Sequence, residues 1–274
     1  MTAIASGAFT GAVAFGFAKL PFASGQLLHA NGPLPSFEVA SIRALRNPDP
    51  EHASWSWSND RFSTKSFPLA LVVEFAYKIR LGMDSRVVGL PGWIDKNRYD
   101  IDARVSDADF QKLNNLPVDQ AEDQIRLMLQ SVLADRCRLK VSYQVKMLPI
   151  YALVVAKGGA KIRPEPQAIS TWNASIGNGS FHGKDATLQY FAEALSDTPE
   201  LGDRIVLDET GLKGSYTWDL TWAPEELSSA SSSGSPPGPS LFTALQEQLG
   251  LKLVPEKGPV EVLVIDHMEP PSAN

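Results

Sequence analysis

The sequence predicts an α+β fold of two similar lobes, each a mostly antiparallel sheet with two helices, built from repeated helix–strand–strand units. Three observations predict it. Apolar stripes at 3.6-residue spacing alternate with short extended runs. The same order of elements occurs in both halves of the 274 residues. Matching positions in the two halves keep nearly constant offsets.

Residues 37–42 (FEVASI) supply a leading strand. A helix follows over 67–79, where Pro68 costs nothing in a first turn and Leu71, Val72, Phe75, Ala76 and Ile79 form one stripe. Strands over 86–90 and 98–105 come next, joined through Leu90-Pro91-Gly92. In the second of them Tyr99, Ile101 and Ala103 alternate with Asp100, Asp102 and Arg104, as a half-buried strand requires. Ile125, Leu129, Val132 and Leu133 mark a helix over 118–135. Residues 139–145 and 150–156 read as a hairpin that turns at Met147-Leu148-Pro149, and the apolar run from Tyr151 to Val155 predicts a central strand.

Two prolines in 163–167 (RPEPQ) mark the domain boundary, and the order then repeats. The second half has a helix over 187–195, strands over 204–207 and 215–222, a helix over 241–249, and strands over 251–254 and 260–266. Gly250 stands where a left-handed helix cap is expected. Phe62, Lys65 and Leu69 match Phe181, Lys184 and Leu188 at an offset of 119; Tyr99 and Asp102 match Tyr216 and Asp219 at 117. Leu129, Leu133 and Leu139-Lys140-Val141 match Leu241, Leu245 and Leu251-Lys252-Leu253 at 112. Such one-way drift is what loop-length change between duplicated lobes produces. The expected organisation is an apolar N-terminal tail or degenerate signal over 1–36, a first lobe over 37–163 and a second over 170–274. A flexible Ser/Gly/Pro loop at 228–240 interrupts the second lobe.

Hydrophobic residues make up 43% of the chain, enough to fill cores, which excludes a disordered or fibrous class. A net charge of -6 argues against nucleic acid as a partner. Cys137 is the single cysteine, so an intrachain disulfide and a Cys-rich metal site are excluded. No apolar stretch reaches the length of a transmembrane helix. Residues 8–17 (AFTGAVAFGF) have the length of a signal-peptide core without its basic start. The expected compartment is extracytoplasmic, periplasmic or secreted, with the cytoplasm as the alternative.

Phe37-Glu38-Val39-Ala40-Ser41-Ile42-Arg43, Gly89-Leu90-Pro91-Gly92-Trp93 and the stretch from Leu133-Ala134-Asp135-Arg136 to Lys157-Gly158-Gly159 carry a resemblance. So do Asp208-Glu209-Thr210-Gly211-Leu212-Lys213-Gly214-Ser215-Tyr216 and Val264-Ile265-Asp266-His267. Together they resemble a soil-associated bacterial family of domains of unknown function. Its members are mostly exported, occur as many paralogues, and are sometimes fused to membrane-embedded sensor metallopeptidases. The resemblance implies an extracytoplasmic setting and brings no catalytic residues with it.

Reactive motifs are sparse. His29, His52, His182 and His267 lie far apart, so the two-turn spacing of a zinc protease is absent. The run from Gly177 to Lys184 resembles a phosphate loop, but Asn178 replaces its first glycine and Asp185 its hydroxyl residue. Cys137, between Arg136 and Arg138, reads as a small packed residue at a helix–strand junction. No cofactor and no metal are predicted. Trp55 and Trp57, two apart among serines, are the candidate binding residues, since indoles on one face of a strand suit stacking or docking. Tyr216, Trp218, Leu220 and Trp222 read instead as the buried face of a sheet. The leading expectation is a non-enzymatic extracytoplasmic binding or protein-interaction module, engaging a protein or a cell-envelope component. The alternatives are a hydrolase or glycan-processing enzyme using Asp100, Asp102, His182 and Asp185 in a cleft between the lobes, and a sensory accessory domain for a membrane peptidase.

Overall fold

The computed structural model describes residues 27–272, except Asn59, Met83, residues 166–172, Asn178, Asp203 and residues 225–237. Residues 1–26 of the expected 1–36 tail, and residues 228–237 of the 228–240 loop, lie outside the described residues. In chain order the first half holds β1 (Val39–Ala44), β2 (Ser54–Trp57), β3 (Arg61–Pro68), α1 (Leu69–Ala76), β4 (Val87–Val88), β5 (Arg98–Arg104), α2 (Asp107–Asn114), α3 (Val118–Arg136) and β6 (Lys140–Val155). The second half holds β7 (Arg163–Glu165), β8 (Asn173–Gly177), β9 (Ser180–Thr187), α4 (Leu188–Ser196), β10 (Val206–Asp208), β11 (Ser215–Thr221), α5 (Leu241–Ala244) and β12 (Leu251–His267). A π-helical turn at Leu245–Leu249 carries α5 into Gly250, whose φ of 63° is the left-handed cap that the sequence predicts.

These strands make three four-stranded sheets, ordered β1-β5-β3-β2, β10-β6-β12-β4 and β7-β11-β9-β8. The α+β class is as expected. The first and third sheets use the same strand permutation within their own halves, and the middle sheet takes strands from both. Its centre is the antiparallel ribbon of β6 and β12, in register from Leu251 on Val155 to Ile265 on Val141, with a shift before His267 on Lys140. Each short strand crosses to the other half: Val206 of β10 lies parallel on Tyr151, and Val87 of β4 lies parallel on Leu263. One lobe therefore does not hold all its strands in one sheet.

One expected hairpin and one expected pair of separate strands are corrected by this ribbon. Residues Lys140–Val155 form one strand, and so do Leu251–His267, although Pro149, Pro255 and Pro259 lie inside them. The reason is positional. Tyr151 N donates to Ile205 O of the neighbouring segment at 2.9 Å, so residues in the register class of Tyr151 and Pro255 point their N–H away from the ribbon. Pro149, opposite Lys257, and Pro259, opposite Met147, fall in the same class. Their missing donors cost the ribbon no hydrogen bond. At the expected boundary, residues Arg163–Glu165 form an edge strand against β11.

Both outer sheets carry a bulge at the same place. The β3–β5 register slips between Thr64 and Phe67, and the β9–β11 register slips at Tyr216/Trp218. Ser66 (φ 47°) and Asp185 (φ 56°) occupy the left-handed position of each bulge, 119 residues apart.

Two cores result. Phe62, Leu69, Ile125, Leu129 and Leu133 centre the first, between the first sheet, α1 and α3. Phe181, Phe191, Trp218 and Leu245 centre the second, beneath α4 and α5. The face Tyr216–Trp218–Leu220 is buried, as its alternation predicts. Cys137 closes α3 fully buried, and burial pushes its thiol up to about 12, which keeps it an unreactive packing residue. Among the described residues no helix is long and apolar enough to cross a membrane.

Candidate functional site

A cavity of about 700 Å³ opens between the halves. Its first-half wall is the turn after α1, residues Lys78–Arg80, together with Glu122 and Arg126 of α3; its second-half wall is Gln189, Glu193 and Asp197 along α4, with Ile176 of β8 beside them. A smaller cavity of about 370 Å³ adjoins it, and Arg86 and Ile205 line both.

Local chemistry fixes each wall. Helix α1 stops because Lys78 adopts a left-handed φ of 59°, letting Lys78 N bond Phe75 O at 3.1 Å and Ile79 N bond Glu74 O at 2.8 Å. The buried Glu74 carboxylate accepts from Gly82 N at 2.6 Å and pins the turn that follows. That turn delivers Arg80 to the other half, where NH1 donates to Ser196 O (2.9 Å) and Gly202 O (2.7 Å). Arg80→Ala is expected to cost about 1–2 kcal/mol, because two carbonyls lose a charged donor. A lower urea midpoint at unchanged slope checks it.

On α3, Arg126 lies over the Phe75 ring, 4.4 Å from its centroid, and donates to Phe75 O (3.1 Å) and Glu122 Oε1 (2.6 Å). Lys78 pairs with Asp123 at 3.1 Å. Arg86 is buried and donates through Nε and NH2 to Glu261 O (3.2 and 3.1 Å); burial lowers its guanidinium to about 10, against the pull of Glu261 and Glu193, so it stays charged at neutral pH. Glu261 also holds the start of the described chain, accepting from Leu27 N (3.1 Å) and pairing with His29 (2.9 Å). On α4, desolvation raises the Asp197 carboxyl above its ordinary range while Arg80 and Arg126 oppose it.

The sequence-predicted residues lie elsewhere. Asp100 and Asp102 are on β5 in the first sheet: Asp100 accepts from Ser66 N (3.0 Å) and Lys65 (3.3 Å), and Asp102 from Arg61 Nε (3.0 Å). His182 and Asp185 are on β9 in the third sheet, where His182 pairs with Asp219 at 2.8 Å. None of the four lines either cavity. Trp55 and Trp57 share a face, as their spacing predicts, and that face turns toward the core. Trp57 packs on the first core, and the Trp55 ring, 39% exposed, meets Phe75 at 4.8 Å. Among the described residues no three His, Cys, Asp or Glu side chains gather as a metal would need.

Sequence reasoning missed Arg80, Arg126, Glu193 and Asp197. The available signal was the four-residue spacing of Glu122 with Arg126 and of Gln189, Glu193 and Asp197, which puts each set on one helix face.

The model of one family, described as proteins of unknown function and designated DUF3738, matches residues 70–268. No curated protein and no solved structure matches the chain.

Proposed function

The chain belongs to the DUF3738 family of proteins of unknown function, and on that footing we propose that it is a non-enzymatic binding module acting outside the cytoplasm, with its ligand seated between the halves. The observation that carries this reading is the preformed cavity of about 700 Å³ whose opposite walls come from different halves. Arg126 and Lys78 are already held by Glu122 and Asp123, so binding requires little rearrangement of those walls. Asp100, Asp102, His182 and Asp185 are divided between two sheets and line neither cavity, which weighs against those four as one catalytic set. In this reading the two halves descend from one duplicated unit, and the ligand is a protein segment or a cell-envelope component.

The test fills the cavity. Ala194 is buried and lines it. Envelope-derived peptides and glycans are expected to raise the melting temperature of the native chain by about 5 °C or more at saturating concentration. Ala194→Phe is expected to abolish that rise. A ligand response that survives Ala194→Phe, or turnover of any of these compounds, would overturn the reading. Recovery of the chain from separated cell fractions tests the compartment.

A further inference from the structure

Resting on that reading of the cavity, we infer that its ligand is an extended peptide segment that adds as a fifth strand to β8 and directs a basic side chain toward Glu193 and Asp197.

Strand β8 ends the order of the third sheet, so among the described residues one of its margins has no neighbouring strand. The register says which groups that margin presents. Gly177 pairs with Ser180 across a two-residue turn, a hydrogen-bonded pair, and Ser175 on His182 and Asn173 on Lys184 fall in the same class. The far side of β9 agrees: Trp222 N donates to Gly179 O at 2.7 Å, which places Gly179, Phe181 and Gly183 in the class that bonds toward β11. Ala174 and Ile176 therefore aim their N–H and C=O outward from the sheet. Ile176, 36% exposed, also lines the cavity, so the margin opens where the ligand would lie. Its counterpart at the margin of the first sheet, 119 residues earlier, is Trp57, which is packed on the core.

The side-chain preference follows from charge. Lys78 and Arg126 are matched by Asp123 and Glu122, and Arg80 spends NH1 on two carbonyls. Among the described residues the Asp197 carboxylate has no hydrogen-bonded or salt-bridged partner, Arg80 and Arg126 attracting it only through space, and Glu193 accepts from Gln189 (3.2 Å). Both acids stand in the last turn of α4, where the helix dipole disfavours negative charge. A ligand cation between them relieves that repulsion. Backbone pairing along the margin supplies affinity, and the pocket for one basic side chain supplies selectivity.

Fluorescence polarisation tests this on the full chain with a labelled peptide of alternating Thr and Val around a central Lys. Saturable binding is expected. N-methylation of the peptide at alternate residues should abolish it, since those amides can no longer bond to β8. Replacing the central Lys by Glu, or Asp197→Asn in the protein, should each weaken binding about tenfold, a change of roughly 1.4 kcal/mol. Ile176→Pro should remove it as well, deleting a donor that the internal ladder does not use. Far-UV circular dichroism checks the folding of that variant, and if it fails to fold the N-methylated peptide decides alone. Equal affinity for the methylated and unmethylated peptides, or no saturable binding of the unmethylated one, overturns strand addition. If peptides fail while Ala194→Phe still abolishes a ligand's thermal shift, strand addition falls and the cavity reading stands.

Discussion

Expressed as separate pieces, residues 1–165 and 173–274 are expected to remain unfolded alone and to regain native secondary structure when mixed. The central sheet dictates this. Separation strips β6 of β12 along sixteen register pairs, and it takes β4 from Leu263–Val264 and β10 from Tyr151–Leu153. Leu153, Val262 and Leu263, all buried in the intact chain, would face water on an unpaired strand. Each piece still carries the residues of its outer sheet and helices, but those alone supply only part of a core: Ile205 and Leu207 of the second half belong to the first core. Circular dichroism and size-exclusion chromatography of each piece, then of the mixture, decide the matter. Two pieces that each melt cooperatively on their own would contradict the argument.

The second large effect is expected at Phe181→Ala, which should destabilise the chain by about 3–5 kcal/mol. Phe181 is fully buried, stacked on Phe191 at 4.9 Å with 5° between the rings, and edge-on to Trp218 at 5.4 Å. Truncation empties the centre of the second core, and the neighbours cannot close in: Gly183 lies directly under the Trp218 ring, where even a methyl would collide. For a chain of this size the loss corresponds to a fall in melting temperature of roughly 10 °C. Phe181→Leu should recover about half of it, because most of the volume returns without the stacking. A fall of only a degree or two for Phe181→Ala would mean that this aromatic cluster is not the keystone of the second core.

Much of the fold was legible because helices and half-buried strands leave periodic traces. Ile125, Leu129 and Leu133 repeat at helical spacing and do line one face of α3; Tyr99, Ile101 and Ala103 alternate and are buried in β5. Strand β3 was hidden because two of its inward positions, Thr64 and Ser66, are polar, and hydropathy does not register a buried hydroxyl that is hydrogen-bonded, as Thr64 is by Ile101 N at 3.0 Å. The ribbon was read as a hairpin and two shorter strands because a proline in a sequence looks the same whichever way its nitrogen faces, and that direction depends on the pairing register. The cavity could not be read at all. Arg80, Arg126 and Asp197 are distant along the chain, and only the crossing of the halves brings them to one space. Trp55 and Trp57 were singled out for their polar neighbours, yet alternation sends Ser54 and Ser56 to solvent and the indoles toward Phe62 and Phe75.

The outward-facing prolines of the long ribbon have one more consequence. At Pro149, Pro255 and Pro259 a chain drawing alongside β6 or β12 would find no amide hydrogen to bond, and the charged Lys257 stands among them. The stretch most capable of templating fibril-like stacking is thereby insulated from it. Adhesion of foreign backbone is left to the short flanks of the outer sheets, where three to six residues are too few to propagate an assembly.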